Sequence, residues 1–443
     1  MKRSLLFLIF VSLLSTSLIA QYSVSGGLWA YKNGITDVYL LNLNGISGAQ
    51  ISFTSLTAGA HQWYKYTKSI DDAVPVPCTQ NGNTSVITNV SGECGYYVAS
   101  PLGTGYVWIV DYSLYNPKFT GLSVVDDENR CEQLKLAVTS DIKPIYYYAG
   151  GIQYTLSRKY LLTFNTLDGD DEQKTFTPVA KTLVLNDNDI TPDIVVNPPP
   201  LTNTTFTLVD SFATYFNIAQ AIRTEEYTAV AVKAYYTAET DKVHADNEVH
   251  HAGDVLGGSA PVEFTFTAIA NEPTAALYIW KIEQQDTLTN ALTEKVRYTD
   301  KVLQYTFDRN GTYVVSLEVS DGQSLCVDST NTFTVIIDNT MLKIPNAFSP
   351  GSSIGVNDEL RISFTSVVSF KASVFNRWGN LLFQWNDPSK GWDGRVAGKF
   401  VPTGAYLVVV EYKDANGKNK TVSRMVNILR SSGTGQDTET PTQ

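Results

Sequence analysis

Four cysteines in 443 residues are too few for a disulfide scaffold. Basic charge is also short, with 33 Lys and Arg against 44 Asp and Glu and a net charge of -11. No stretch gathers the basic stripe that phosphate binding needs, which argues against nucleic acid as a partner. The acidity suits solubility at a cell surface. Calcium affinity would require clustered oxygens rather than net charge. Beyond the first twenty residues no apolar run is long enough to span a membrane. Nothing repeats the strand-helix-strand unit of an α/β enzyme either, so that class is disfavoured.

What is present begins with a leader. Lys2 and Arg3 precede the apolar run Leu5 to Leu14, then Ser15, Thr16, Ser17 and Ala20 before Gln21. This is the order of a secretory signal peptide covering residues 1–20, cleaved near Ala20. The run falls short of the roughly 20 residues of a bilayer span. No cysteine stands at the cleavage point, which argues against a lipid anchor there. Export implies an oxidising compartment, where Cys78 and Cys94, in a turn-rich segment, are expected to close a loop worth about 3 kcal/mol. Cys131 and Cys326 fall in stretches that read as different domains, and their pairing stays open.

The body of the chain reads as β structure. Val262, Phe264 and Phe266 alternate with polar residues, as do Tyr313, Val315, Leu317 and Val319. Period two marks half-buried strands. Phe212, Tyr215, Phe216, Ala219 and Ile222 instead fall at helical spacing, leaving a short helix or a strand open there. Turn-rich seams at 112–118, 198–203, 253–261 and 338–343 divide the chain. The expected modules are 21–113, 114–197, 201–258, 260–338 and 342–430. A polar tail, 431–443, is expected to be disordered.

Three stretches carry resemblances. Gln62-Trp63-Tyr64-Lys65 and Glu93-Cys94-Gly95-Tyr96-Tyr97-Val98 resemble the Trp strand and tyrosine-corner strand of immunoglobulin-like sandwiches, with Ala99 where a second core cysteine would stand. Tyr278-Ile279-Trp280-Lys281, Tyr305-Thr306-Phe307 and the run Asn310 to Gly322 resemble a PKD-type sandwich at 260–338. Such modules space or display other parts of surface proteins.

The clearest set closes the chain: Phe348-Ser349-Pro350, Asn357-Asp358, Asn376-Arg377-Trp378-Gly379, Trp392-Asp393-Gly394 and Pro402 with Gly404 and Tyr406. Together they resemble the type B sorting domain of the type IX secretion system, also called the gliding-motility-associated C-terminal domain. Where that family has an Asn-Gly-Asp-Gly turn, Gly351 to Gly355 stand here. The resemblance implies a small antiparallel sandwich of about seven strands, the type IX translocon as partner and, often, an outer-membrane β-barrel protein that retains such cargo. Locally, Gly379 with Asn380, Asp393 with Gly394 and Asn416 with Gly417 are hairpin signals, and the first predicts Trp378 covering its bend.

Other candidate chemistry is weaker. Gly351-Ser352-Ser353-Ile354-Gly355 spells a nucleophile elbow at Ser353, but without strand, helix or later histidine, so no catalytic residue is expected. His244, Asp246, Glu248 and His250 alternate, and on a strand would share one face with His251 nearby, a set zinc could use. Their flanks read as an exposed connection, and neither metal nor cofactor is expected. Asp168-Gly169-Asp170-Asp171-Glu172 lacks the full calcium-loop spacing and reads as a hairpin tip. The tyrosine runs 96–97, 146–148 and 235–236 offer stacking surfaces for sugar rings, about half facing cores.

The expectation is an all-β chain of tandem immunoglobulin-like and PKD-like β-sandwich modules ending in a small antiparallel sandwich sorting domain. It would be extracellular, at the cell surface in association with the outer membrane, with adhesion or ligand binding rather than catalysis as its task. The glycan or protein ligand is unknown. The rival is a glycan-degrading enzyme or carbohydrate-binding accessory with its site in 114–258, which a concave pocket with two close carboxylates and exposed aromatics would favour.

Overall fold

A computed structural model describes residues 21–45, 48–99, 105–250, 255–352 and 355–430. The leader, Ser353, His251 and the tail 431–443 lie outside the described residues. Strand makes up 57% of the chain and helix 4%, so the class is an all-β, multi-domain sandwich. No helix among the described residues is long and apolar enough to cross a membrane. The chain forms two compact units, one from residues up to Thr166 with Pro178–Ala229, the other from Leu167–Thr177 with Val230 onward.

The first unit opens with a sandwich. One sheet has Gln21–Val24, Gln50–Thr54, Thr84–Thr88 and Thr79–Asn81; the other runs Leu28–Asn33, Thr36–Leu41, Tyr106–Asp111, Cys94–Ala99, Gln62–Tyr66, Val74–Val76. Trp63 is fully buried between them and donates from Nε1 to Ser85 Oγ at 2.7 Å. Tyr96 accepts at its hydroxyl from Ser91 N at 2.8 Å, the tyrosine corner that the sequence suggested. The larger sheet is covered on both faces. Val107 and Ile109 enter this core, while Val38, Leu40, Tyr66, Trp108 and Val110 enter a second one. That is why Tyr106–Asp111 is a nearly continuous apolar run rather than an alternating one.

The second core is closed by the next module. Its sheets are Lys118–Val125, Leu134–Asp141, Asp193–Val196 and Thr175–Asn186, Lys159–Asp170, Thr207–Asp210, Ile222–Arg223. A separate hairpin, Ile145–Ala149 with Ile152–Leu156, turns at Gly150 and Gly151, both at positive φ. It brings Ile145, Tyr147 and Leu156 onto Trp108 and Tyr66, beside Phe212 and Ala213 of the short helix Ser211–Tyr215. The helix covers only the first turn of that spacing, since Ala219 lies beyond it and Ile222 is on a strand. Asp210 caps this helix, accepting from Phe212 N and Ala213 N at 2.7 and 3.1 Å.

One buried cation ties these pieces together. Arg158, 1% exposed, donates from Nη1 to Asp210 Oδ2 at 3.0 Å and to the Tyr112 hydroxyl at 3.3 Å. Its Nη2 donates to the carbonyls of Tyr115 and Lys143 at 2.6 and 2.8 Å. The guanidinium thus satisfies two loop carbonyls and a carboxylate that also caps the helix.

Two expected boundaries are not module edges. Strands from either side of the triple proline share one sheet, since Lys159–Asp170 pairs with Thr207–Asp210. Pro199 and Pro200 are buried in the crossover within one sandwich. A stiff extended segment serves that crossing as well as it serves a linker. Likewise Leu256–Gly258 is a strand, parallel to Val327–Ile337. A Cβ on Gly257 would lie 1.9 Å from Ile336 O, so only glycine fits.

The second unit holds the sandwich around Trp280. Ala234–Glu239, Val262–Ala270 and Val302–Phe307 face Leu256–Gly258, Val327–Ile337, Gly311–Asp321, Ala275–Gln285 and Leu292–Tyr298. The alternating residues Phe264, Phe266, Val315, Leu317 and Val319 are buried in its core, as their period required. A further five-stranded sheet follows, ordered Ala347–Phe348, Asn419–Ile428, Gly404–Asp414, Val367–Phe375, Leu381–Trp385. Its longest hairpin turns at Asn416-Gly417, with Asp414 Oδ1 accepting from Asn416 N and Lys418 N at 2.9 and 2.8 Å.

The expected Cys78–Cys94 bridge is absent: both are free thiols. Cys94 Sγ is buried in the first core and donates to Ser91 O at 3.2 Å, whereas Cys78 Sγ turns to His61 O. Sequence spacing carries no information on how the Cβ vectors point. Cys131 and Cys326 are each disulfide-bonded.

Three measurements check these features. Arg158→Ala leaves Asp210 buried without its partner and is expected to cost about 3 to 5 kcal/mol, read as an earlier denaturant transition. Thiol alkylation without reductant should modify two cysteines, Cys78 before Cys94, whose thiol burial pushes up in pKa. The Lys420 ammonium, with backbone N–H groups, holds the Asp414 carboxyl below its ordinary value. Its contribution is therefore complete above the unfolded pKa and lost as pH falls through the folded one. Asp414→Asn should lower the melting temperature at neutral pH and flatten its decline in acid.

Candidate functional site

The residues singled out near the C-terminus separate into a packed group and an exposed one. Phe348 and Trp392 are buried with ring centroids 5.7 Å apart, and Tyr406 meets Trp392 at 6.0 Å. Trp392 donates from Nε1 to Arg395 O at 2.9 Å, and Asp393 Oδ1 accepts from Arg395 N at 3.0 Å. Gly394 has φ +76, and a Cβ there would lie 2.8 Å from Pro350 Cγ and 3.4 Å from the Phe348 ring. Two motifs far apart in sequence therefore close on each other at a position where glycine is required. Asp393-Gly394 is not a hairpin turn: Gly391–Trp392 pairs with Leu360–Arg361, and Arg395–Val396 with Lys399–Phe400. Ser349 N donates to Asn357 O at 2.8 Å, closing the turn before Asp358.

The exposed group is built on the bend between Val367–Phe375 and Leu381–Trp385. Asn376 Oδ1 accepts from Trp378 N and Asn380 N at 3.0 and 2.9 Å, and Gly379 takes φ +83. Asn, Gly and their spacing thus shape the bend. Trp378 does not cover it: the indole is 71% exposed, with the Arg377 guanidinium 4.2 Å from its centroid. Beside it runs a groove of about 380 Å³ lined by Asn376, Arg377, Trp378, Pro402, Gly404 and Tyr406. Tyr406 joins the two groups, its hydroxyl donating to Pro402 O at 2.7 Å.

The segment around His244 has a structural task. Asn247 Nδ2 donates to the carbonyls of Ile362 and Pro388, both at 2.8 Å, and Val249 N donates to Phe364 O at 2.8 Å. The segment so covers the Ser363–Thr365 edge, which is why its polar residues do not share one strand face. Asp246 pairs with Arg361 at 3.3 Å, and Glu248 takes Lys242 Nζ at 2.8 Å and His244 Nδ1 at 3.2 Å. Burial raises the Glu248 pKa, but Lys242 and the other hydrogen bonds outweigh it and the net shift is downward. His244 stacks on His250 at 3.8 Å instead of converging on a shared ligand position. Among the described residues no three His, Cys, Asp or Glu side chains gather as a metal set. Asp170 Oδ1 accepts from Glu172 N and Gln173 N, both at 2.8 Å, in a hairpin-tip turn.

Of the tyrosine runs, Tyr96 and Tyr147 are buried in cores and Tyr236 packs against the Trp280 core, Tyr235 is buried against Phe176 on the other face of its strand, and Tyr146 is exposed. The hairpin 145–156 also borders a cleft of about 550 Å³ within the first unit, opposite Asn33, Tyr66 and Asp71. Sequence reasoning had noticed the tyrosines but not this cleft, because its walls come from segments far apart in the chain. Arg158 was missed as well. Its one signal was a guanidinium directly before the apolar strand 159–164.

Residues 342–428 match the CHU_C type IX secretion signal domain, and residues 123–224 match a fibronectin type III domain. No curated protein matches the chain. Among solved structures, three N-terminal domains of the bacteriophage RB49 highly immunogenic outer capsid protein align at 9% identity with TM-score 0.20, over 71% of this chain and 98% of that one. Native E. coli alpha-2-macroglobulin aligns at 9% identity with TM-score 0.16, over 93% of this chain and 29% of that one. The chain thus carries a type IX secretion signal domain at 342–428, which supports its export as cargo of that system, and a fibronectin type III domain at 123–224.

Proposed function

We propose that this cargo protein is retained at the outer face of the outer membrane and displays its upstream sandwiches for adhesion or ligand binding, without catalysis. The observation that carries the sorting half of this reading is the groove at Trp378. A large indole held in solvent contributes nothing to the core, and burying it against a partner would recover roughly 1.5 to 3 kcal/mol. Its neighbours in the groove include Asn376, Arg377, Pro402, Gly404 and Tyr406 of the set that the family resemblance singled out, which supports this face as the one the translocon reads.

The PKD-like sandwich at 260–338 is proposed as a spacer between the signal domain and the modules before it. Its core is filled by Phe266, Trp280, Phe307 and Leu317. The non-catalytic half rests on the first-unit cleft, where Asp71 is the only carboxylate among the lining residues. Glycoside hydrolysis ordinarily uses a pair of carboxylates, about 5 to 9.5 Å apart.

Cell fractionation tests the route. Removal of residues 342–430 should leave the mature protein in the periplasm, and surface delivery of the truncated chain would falsify the sorting assignment. Trp378→Ala, which removes only exposed surface, should lower the surface fraction without lowering the melting temperature. An unchanged surface fraction would move the recognition face elsewhere.

A further inference from the structure

The first-unit cleft has a composition that selects its occupant. Its walls are the turn 33–36, the segment 69–71, Tyr66, Tyr106 and the hairpin residues 149–151 with Tyr154. No lysine or arginine lines it, so an anionic ligand would find no countercharge there. Asp71 is its one ionisable acid, too little for a cation site. At about 550 Å³ it is within the range of small-ligand sites.

Rings and hydroxyl groups make up much of the rest. Tyr154 is 37% exposed and stacks on Tyr147 at 5.5 Å with planes 20° apart. Tyr31, 51% exposed, meets the other side of this set at 6.5 Å from Tyr147. Asn33 Nδ2 donates to the Tyr147 hydroxyl at 3.2 Å, which anchors that amide at the rim. Tyr66 is 4% exposed and lines the cleft. From that position its phenol can donate to and accept from a ligand hydroxyl.

Aromatic faces carry negative charge density and attract polarised C–H groups. An amide, a single carboxylate and phenol groups around them suit a ligand with apolar faces and hydroxyl edges. We propose that this cleft binds a neutral pyranose unit of a glycan, with Tyr154 under the ring face and Tyr66, Asn33 and Asp71 serving its hydroxyl groups. This inference rests on the ligand-binding reading above and names the class of ligand.

The test uses the full mature chain in affinity electrophoresis through gels containing neutral polysaccharides (β-glucan, xylan, mannan) and acidic ones (polygalacturonate, hyaluronan). Retention by at least one neutral polymer is expected. Tyr154→Ala should weaken it about tenfold, and Tyr66→Phe should weaken it while keeping the ring. Both variants should melt as the parent does, or, where one does not, Asp71→Ala at the exposed rim must show the loss instead. No retention by any neutral polymer, retention by acidic polymers alone, or retention unchanged in all three variants overturns the assignment. Adhesion of cells lacking the gene is measured in parallel. Normal adhesion there removes the surface-binding reading, whereas lost adhesion with no glycan retention removes only the sugar assignment and points to a protein partner.

Discussion

Where one sandwich meets the next within a unit, loop carbonyls are buried that neither sheet can pair, and each must find a donor or cost free energy. In the first unit Arg158 meets that constraint. Its guanidinium reaches Tyr115 O, Lys143 O, the Tyr112 hydroxyl and Asp210, and Asp210 holds the helix whose Phe212 packs against Tyr112. A neutral donor has too few N–H groups in too small a plane to do this. In the second unit an amide donates to such carbonyls, and hydroxyls do the converse for backbone N–H groups. Asn247 serves two carbonyls, Ser366 Oγ accepts from Ala260 N at 3.0 Å, and Thr340 Oγ1 accepts from Ala415 N at 2.7 Å. The sandwiches on either side can be ordinary because these junctions are specific.

That division explains what could be read in advance. Alternation at Val262, Phe264 and Phe266, or at Tyr313 to Val319, reports one dry face and one wet face, a property local to the strand. The Trp63 and Tyr96 strands were legible for the same reason. Module edges were not, because proline and glycine mark any place where the chain must be stiff or must approach closely. Pro199 and Pro200 cross between sheets of one sandwich, and Gly257 admits the Ile336 carbonyl. The thiols failed differently. Cys78 and Cys94 are near in sequence, but one side chain turns into the core and the other toward a loop.

The C-terminal motifs were visible as a set, but their two physical roles were not. Trp392 and Trp378 each sit beside a glycine in the sequence, yet one is at the centre of the core and the other lies over solvent. The difference is topological. Trp392 is on a short strand paired to Leu360–Arg361 beneath the sheet, and Trp378 is at the tip of an edge hairpin. Substituting Trp392 or Gly394 would disturb packing first and recognition only through it. The residues open to a partner are those around Arg377 and Trp378.

The proposed sugar cleft follows from the same alternation that builds the joint beside it. On the hairpin 145–156, Ile145, Tyr147 and Leu156 are spent on closing the second face of the large sheet. Tyr154 stands directly opposite Tyr147 and so shares its face, but is 37% exposed where Tyr147 is buried. Its ring is therefore held in place by a buried neighbour while one side stays open. A ring so braced loses little freedom when a ligand arrives, and that preorganisation is what a weak, uncharged ligand requires. Tyr66 shows the complementary case, with its ring packed among Trp108, Tyr97 and Tyr106 while it also lines the cleft. The cleft is thus a by-product of joining two sandwiches through aromatic residues, and its rigidity is inherited from the joint.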